Sequence, residues 1–337
     1  MKVSKLTLDL LGNYIKPFIH VCCGARSEVS NCLVDAVPHS RYVGFEPDEA
    51  ECASLCQQAK AGYSYLPVAL GKTSATRRLY ITKNPNCSSL LFPNYPFFCQ
   101  FMDIAPQIQI REVKDVQTVA LDLYLPKVEI NHIDFLQLDT QGTELEILHG
   151  AEKFLSSCVL GLKVEVEFSP LYKDQPLFAD IDTYVRQFGF MLFDMSRNRY
   201  RRQNYPRDLT TRGQLLWGDA FYLKDYNCLA DKESKQAYIK LAIIAIFYGF
   251  HDYALEIVDF LLQGGAGTLN SEGARLLQRL RSEYMSSLVR KHWLIKLIEW
   301  LEQSSLRGFS HGVRAVIRPV THAFVLVKER RNYSWED

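Results

Sequence analysis

The sequence predicts an α/β protein, with a doubly wound, Rossmann-like sheet followed by a C-terminal helical extension. Three observations carry this expectation. Over the first two-thirds of the chain, short β-rich runs alternate with helical patterns, the order that builds a mostly parallel sheet with helices on both faces. Two ionisable residues, Glu46 and Asp139, close two of those runs, at the strand ends where such sheets hold ligands. Beyond Asp225 the pattern turns helical.

The elements follow in order. Phe18–Cys22 reads as a strand and Glu28–Val37 as a helix. Tyr42–Phe45 is a second strand, and Asp48–Ala61 a helix with Asp48 as N-cap and Glu51 three residues on. Tyr63–Leu70 is a third strand. Arg77–Ile81 and Val113–Leu125 read as strands without a helix between them. Asn84–Pro106, rich in Pro, Asn, Ser and Phe, separates them, and an irregular stretch of that length in a compact domain marks a functional segment. Ile133–Leu138 is a fourth strand, Thr143–Leu155 a helix, Val159–Phe168 a fifth strand and Phe178–Gln187 a helix. Phe190–Phe193 and Ala220–Leu223 complete the sheet. Helices are then expected at Ala237–Phe250, Tyr253–Leu262, Ser271–Ser287 and Val289–Gln303. These patterns divide the chain into a sheet domain over 1–227 and a helical extension over 228–337, expected to cap it.

Composition narrows the class. With 47% hydrophobic and 23% charged residues the chain has a globular core, and 39 basic against 38 acidic residues give no whole-molecule reason to expect nucleic acid. Nine scattered cysteines and no apolar leader in Met1–Leu11 point to reduced thiols and a cytoplasmic location. The longest apolar run, Leu241–Phe250, falls well short of the roughly 20 residues that span a bilayer. Peripheral membrane or partner contact through Trp293, Leu294, Leu297, Ile298 and Leu301 stays open beside ordinary core packing.

The first strand-to-helix turn, Cys22–Glu28, contains one glycine, Gly24. No G-x-G-x-x-G is present, which counts against a nicotinamide-dependent oxidoreductase. Glu46 follows Gly24 at about the 20-residue separation at which a carboxylate meets a ribose diol, and Pro47 stiffens the turn presenting it. After Asp139, Gly142 permits a sharp turn, with Thr143 as helix cap and Glu146 completing a capping box. An ionisable side chain so placed points into the ligand crevice.

The run LQLDTQGTELEILHGAEKFL, Leu136–Leu155, resembles the signature of the FkbM methyltransferase family. The pieces VGFEP, LPVALGK, CSSLLFPN, LKVEVEFSPLY, FADIDTYVRQFGFMLFDM and WGDAFYL fall in family order, so the resemblance covers Pro17 to Lys224. It implies a class I methyltransferase that uses S-adenosylmethionine and methylates a hydroxyl of a sugar, glycan or related small molecule. By resemblance, Gly24 and Ala25 hold the methionine part of the cofactor, Glu46 with Pro47 the ribose, and Ala69 and Leu70 the adenine. Asp139 and Gln141 sit near the sulfonium, and Ser88 and Ser89 lie over the active site. Asp139 is the first candidate for general base, then Glu167 and Glu144. Among the arginines of 197–212, Arg197 and Arg199 are candidates for holding an anionic acceptor, with Tyr200 and Tyr205 stacking on sugar rings. No metal site is expected, because no His/Cys cluster has ligand spacing. The first turn departs from the family's Asp-x-Gly-Ala-Asn-x-Gly: Cys22 replaces the Asp, Arg26 the Asn and Glu28 the second Gly. A catalytically silent binding protein on the same fold is therefore the alternative.

Overall fold

A computed structural model describes residues 15–26, 33–229, 235–267, 269–283 and 285–286. The chain divides into two compact units, Ser4–Gln278 and Met1–Val3 with Arg279–Asp337. Most of the second unit lies outside the described residues, as do Glu28, the expected helix at 289–303 and its amphipathic stripe.

The first unit is mixed α/β around a mostly parallel sheet. Strands β1 (Ile19–Cys23), β2 (Arg41–Phe45), β3 (Tyr63–Leu66), β7 (Phe135–Leu138) and β8 (Gly161–Glu167) run parallel in the order β8-β7-β1-β2-β3. Beyond β8, β11 (Gln214–Lys224) is antiparallel and pairs in turn with β9 (Phe190–Met195) and β10 (Asn198–Tyr200). Strand order reverses between β1 and β7, the place where such sheets open a ligand crevice. A separate three-stranded sheet joins β4 (Ala69–Leu70), β6 (Ile110–Val119) and β5 (Ala75–Thr82) in the order β4-β6-β5.

Several elements differ from the sequence expectation, each for a local reason. Tyr63–Leu70 is two strands in two sheets, since Pro67 offers no N–H and Val68 N–H turns back to Leu66 O at 2.9 Å. Val113–Leu125 reads as one alternating strand, but the strand ends at Val119 and a helical turn follows at Leu121–Tyr124. There Leu121 and Leu125 are buried one helical turn apart while Leu123 faces solvent. The helix expected over Thr143–Leu155 breaks into Glu144–His149 and Glu152–Ser157. Gly150 sits at the break, where a Cβ would lie 2.3 Å from Gly71 O. Asp48 caps the helix Glu49–Gln57 by accepting from Ala50 N–H at 3.2 Å, whereas Thr143 makes no capping bond. The segment 84–106 holds a short 3₁₀ turn, Pro85–Cys87, and one helical turn, Tyr95–Phe98. Its Phe98, Phe101 and Ile104 form a small core with Tyr172 and Leu216.

Period-2 alternation decides which residues face which layer. Val21, Val43, Phe45, Leu136, Leu138, Leu162 and Val164 enter the main core. His20, Tyr42, Phe135 and Phe221 belong to the alternate set, and His20 lies edge-on to both Tyr42 and Phe135. Helix α8 (Lys235–Tyr248), followed by α9 (His251–Leu262), packs over Phe135 and Phe221 of this set. Tyr248 stacks on Phe135 at 5.2 Å and packs on Phe221 at 4.4 Å. Lys240 Nζ donates to both oxygens of buried Asp134 at 2.8 Å and to Pro17 O at 3.0 Å. These two helices belong to the same compact unit as the sheet. Among the described residues, no helix is long and apolar enough to cross a membrane.

Candidate active site

A cavity of about 330 Å³ opens at the carboxyl ends of β1, β2 and β7, with β4 and residues 84–90 also lining it. Its first wall is the turn after β1. Gly24 has φ +81°, and a Cβ there would lie 1.8 Å from Asp139 O, so only glycine lets this turn pass so close to the end of β7. The N–H groups of Gly24 and Ala25 both donate to Phe45 O at 3.1 Å, which ties the turn to β2. Glu46, just past β2, is 4% exposed. Burial raises its pKa against the opposing pull of Asp48 N–H and the Arg26 guanidinium.

The second wall is the turn 139–142. Gln141 is left-handed at φ +61° and Gly142 at φ +105°, a backbone that its surroundings must hold in place. Glu144 reaches back to accept from Thr140 N–H at 2.6 Å and Gly142 N–H at 2.9 Å. Ser89 Oγ donates to Gln141 O at 2.7 Å. Tyr172 hydroxyl lies within hydrogen-bond reach of both Gln141 Oε1, at 3.0 Å, and Cys87 O, at 2.9 Å. Gln141 Nε2 then donates to Asp139 Oδ1 at 2.9 Å and Glu165 Oε2 at 2.6 Å. Asp139 and Glu165 also hydrogen-bond each other.

These carboxyls are electrostatically unequal. Burial raises Asp139, while its bonds to Gln141 and Glu165 pull it back down. Burial and then the Asp139 charge push Glu165 well above the carboxylate range. Glu165 therefore holds a proton more tightly than Asp139 does. Glu144 is pushed up to about 7, chiefly by burial. Burial, then the Glu144 and Asp139 charges, raise Glu167 well above its ordinary range.

The sequence pattern of the Methyltransferase FkbM domain matches residues 23–192. The chain belongs to the FkbM methyltransferase family. No curated protein matches it significantly. Solved structures similar to this FkbM protein are themselves methyltransferases. Magnesium protoporphyrin IX methyltransferase of Synechocystis, solved with bound S-adenosylmethionine, is 11% identical over 66% of this chain and 79% of its own, with TM-score 0.33. A putative tRNA methyltransferase of Streptococcus pneumoniae is 13% identical over 84% and 97%, with TM-score 0.30. A precorrin-6y methyltransferase of Geobacter metallireducens is 10% identical over 65% and 86%, with TM-score 0.31.

In the FkbM chain the cavity gathers most of the sequence-predicted residues: Gly24, Glu46, Pro47, Ser88, Ser89, Ala69, Leu70, Asp139 and Gln141 all line it. Ala25 does not; it is buried with Cys22, Val34 and Tyr42. Glu144 and Glu167 are buried outside the lining, so of the three candidate bases only Asp139 reaches the cavity. Arg197 and Arg199 lie outside it as well. Other arginines of that stretch have protein partners: Arg201 donates to Arg207 O and Leu209 O within the loop, and Arg207 pairs with Asp103 of the 84–106 segment. Tyr200 lines the cavity beside Trp217, ring centroids 4.8 Å apart, whereas Tyr205 is 60% exposed. Glu165 and Glu167 were both expected to face the crevice from the end of their strand; Glu165 lines the cavity and Glu167 does not. Tyr172 and Trp217 were not marked by sequence reasoning, and Arg26 was marked only as a departure from the family's first turn.

Proposed function

We propose that the protein transfers a methyl group from S-adenosylmethionine to a hydroxyl oxygen of a sugar, glycan or related small molecule. The observation that supports this best is Asp139, tied through Gln141 to Glu165, in the lining of a cavity that also contains the Gly24 turn and Glu46. The chain's residues fit the cofactor. Gly24 brings its turn against the end of β7 at the cavity wall, Glu46 offers buried carboxylate oxygens for a ribose diol, and Val68, Ala69 and Leu70 supply an apolar wall for a base. When bound, the cofactor supplies an already activated methyl group, so alignment is the protein's main task.

A hydroxyl acceptor must also lose a proton as it attacks. Asp139 accepts that proton, and its raised affinity for protons in the buried site makes it a better base than a surface aspartate. Gln141, which bridges it to Glu165, fixes its orientation. Tyr200 and Trp217 offer ring faces for a sugar, and the amides of Asn84, Asn86 and Gln107 offer donors and acceptors for its hydroxyls. The second reading is a silent binding protein, favoured by Arg26, which already engages Glu46.

Calorimetric titration with S-adenosylmethionine and S-adenosylhomocysteine tests the reading. Micromolar binding that is lost in Glu46→Ala, together with transfer of labelled methyl to glycosides that is lost in Asp139→Ala, is expected. Absence of binding at millimolar ligand by folded protein would remove the proposal and leave the binding-protein reading.

A further inference from the structure

We propose that Arg26 is an internal competitor for the cofactor's ribose, holding Glu46 in the free protein and yielding it by retreating to Asp48. The inference rests on the cofactor reading above and adds the residue that sets the affinity.

Arg26 sits on the turn after β1 and lines the cavity. Its Nε lies 3.5 Å from Glu46 Oε2, and its Nη2 lies 3.4 Å from Glu46 Oε1. A guanidinium fork thus covers both carboxylate oxygens, the two acceptors that a vicinal diol would need. Among the described residues, the other hydrogen bond to Glu46 comes from Asp48 N–H, 2.9 Å from Oε1, which is a backbone group close in sequence. Without a ligand, a carboxylate this buried would be left short of partners if Arg26 moved away, so the free protein favours the covered state.

The two anions do not hold Arg26 equally. Both contacts to Glu46 are long, whereas Nη2 reaches Asp48 Oδ2 at 3.0 Å. Arg26 can therefore release Glu46 without becoming unpaired. Asp48 is kept in place for this by its cap on the following helix, through Ala50 N–H, and by Lys114 at 3.7 Å. The exchange replaces one pair of bonds to Glu46 with another. Its cost is a lowered cofactor affinity, and Asp48 determines how large that cost is.

Two substitutions then act with opposite sign. Arg26→Ala frees Glu46 and is expected to tighten S-adenosylhomocysteine binding roughly tenfold, the equivalent of about 1.4 kcal/mol. Asp48→Asn keeps a side-chain oxygen for the helix cap but removes the charge to which Arg26 retreats, and it should weaken binding. In the double variant the weakening should disappear, because no arginine remains to be held. Adenosine should reproduce these shifts, and 2′-deoxyadenosine, which lacks the diol, should not. Calorimetric dissociation constants for the four proteins read the pattern, with thermal melts confirming that each is folded. Weaker binding in Arg26→Ala, equal effects on the two nucleosides, or additive effects in the double variant would overturn the proposal while leaving the cofactor reading intact. Binding by none of the four proteins would remove both.

Discussion

At the scale of the residue, Asp139 and Glu165 divide the work of one proton. Replacing Asp139 by Asn removes the acceptor while keeping its shape, and methyl transfer is expected to fall roughly 10²- to 10⁴-fold with cofactor binding retained. Glu165→Gln imitates the protonated acid, since its amide donates to Asp139 and its oxygen still accepts from Gln141. It should therefore keep most activity at neutral pH. The buried carboxyls also leave a mark on stability. Glu144 titrates at about 7 in the fold against 4.5 for a free side chain. A raised carboxyl contributes stability that is complete below the unfolded value and is lost as pH rises through the folded one. The ligand-free protein should accordingly lose stability between about pH 4.5 and 7, and urea midpoints across that window should flatten when Glu165 is replaced by Gln. A midpoint that rises over the same window would contradict the assignment of neutral acids to this cluster.

At the scale of the element, the β1 turn and helix α8 each depend on one contact. Gly24→Ala forces a Cβ into Asp139 O at a left-handed φ, so the turn must leave β7. The expected outcome is a loss of more than about 1 kcal/mol together with loss of cofactor binding, read by urea titration and calorimetry on the same sample. Helix α8 is anchored by Lys240. Lys240→Met removes the cation and leaves Asp134, which is fully buried, with His132 at 2.8 Å and Ile19 N–H at 2.8 Å. Breaking such a pair costs about 3 kcal/mol. His132 adds a pH signature. Its bond to Asp134, then that to Cys158, raises it from 6.5 to about 9. Its contribution to stability is full below pH 6.5 and fades as pH rises through 9. His132→Gln should reduce the decline in melting temperature over that interval and leave the lower-pH decline in place.

At the scale of the whole molecule, helices α8 and α9 complete the sheet. Tyr248 and Phe250 cover Phe135 and Phe221, and Tyr253 hydroxyl donates to Lys224 O at 2.6 Å. A chain ending at 229 would expose that aromatic face and strand Asp134. It should be recovered as aggregate or as a species without a cooperative melt, whereas a soluble, cooperatively folding 1–229 would show that the sheet is independent of its helices. The sequence change near 228 marks a switch from α/β alternation to helices, but a core is defined by what buries it, and that is not local in the chain.

The alternation of β-rich and helical runs, with strand ends at Glu46 and Asp139, determined the sheet and the location of the cavity, because period-2 patterning and strand-end chemistry are local properties. The run around Asp139 and Gly142 likewise determined the family. Tertiary structure alone decided which carboxylates face the cavity. Glu144, Glu165 and Glu167 are close in pattern, yet one braces a turn, one meets Asp139 and one is buried outside the lining. It also tied Arg201 to its own loop, paired Arg207 with Asp103 and brought Arg26 onto Glu46, twenty residues away. Charge pairing depends on distances between segments, and the sequence carries those distances only through the fold as a whole.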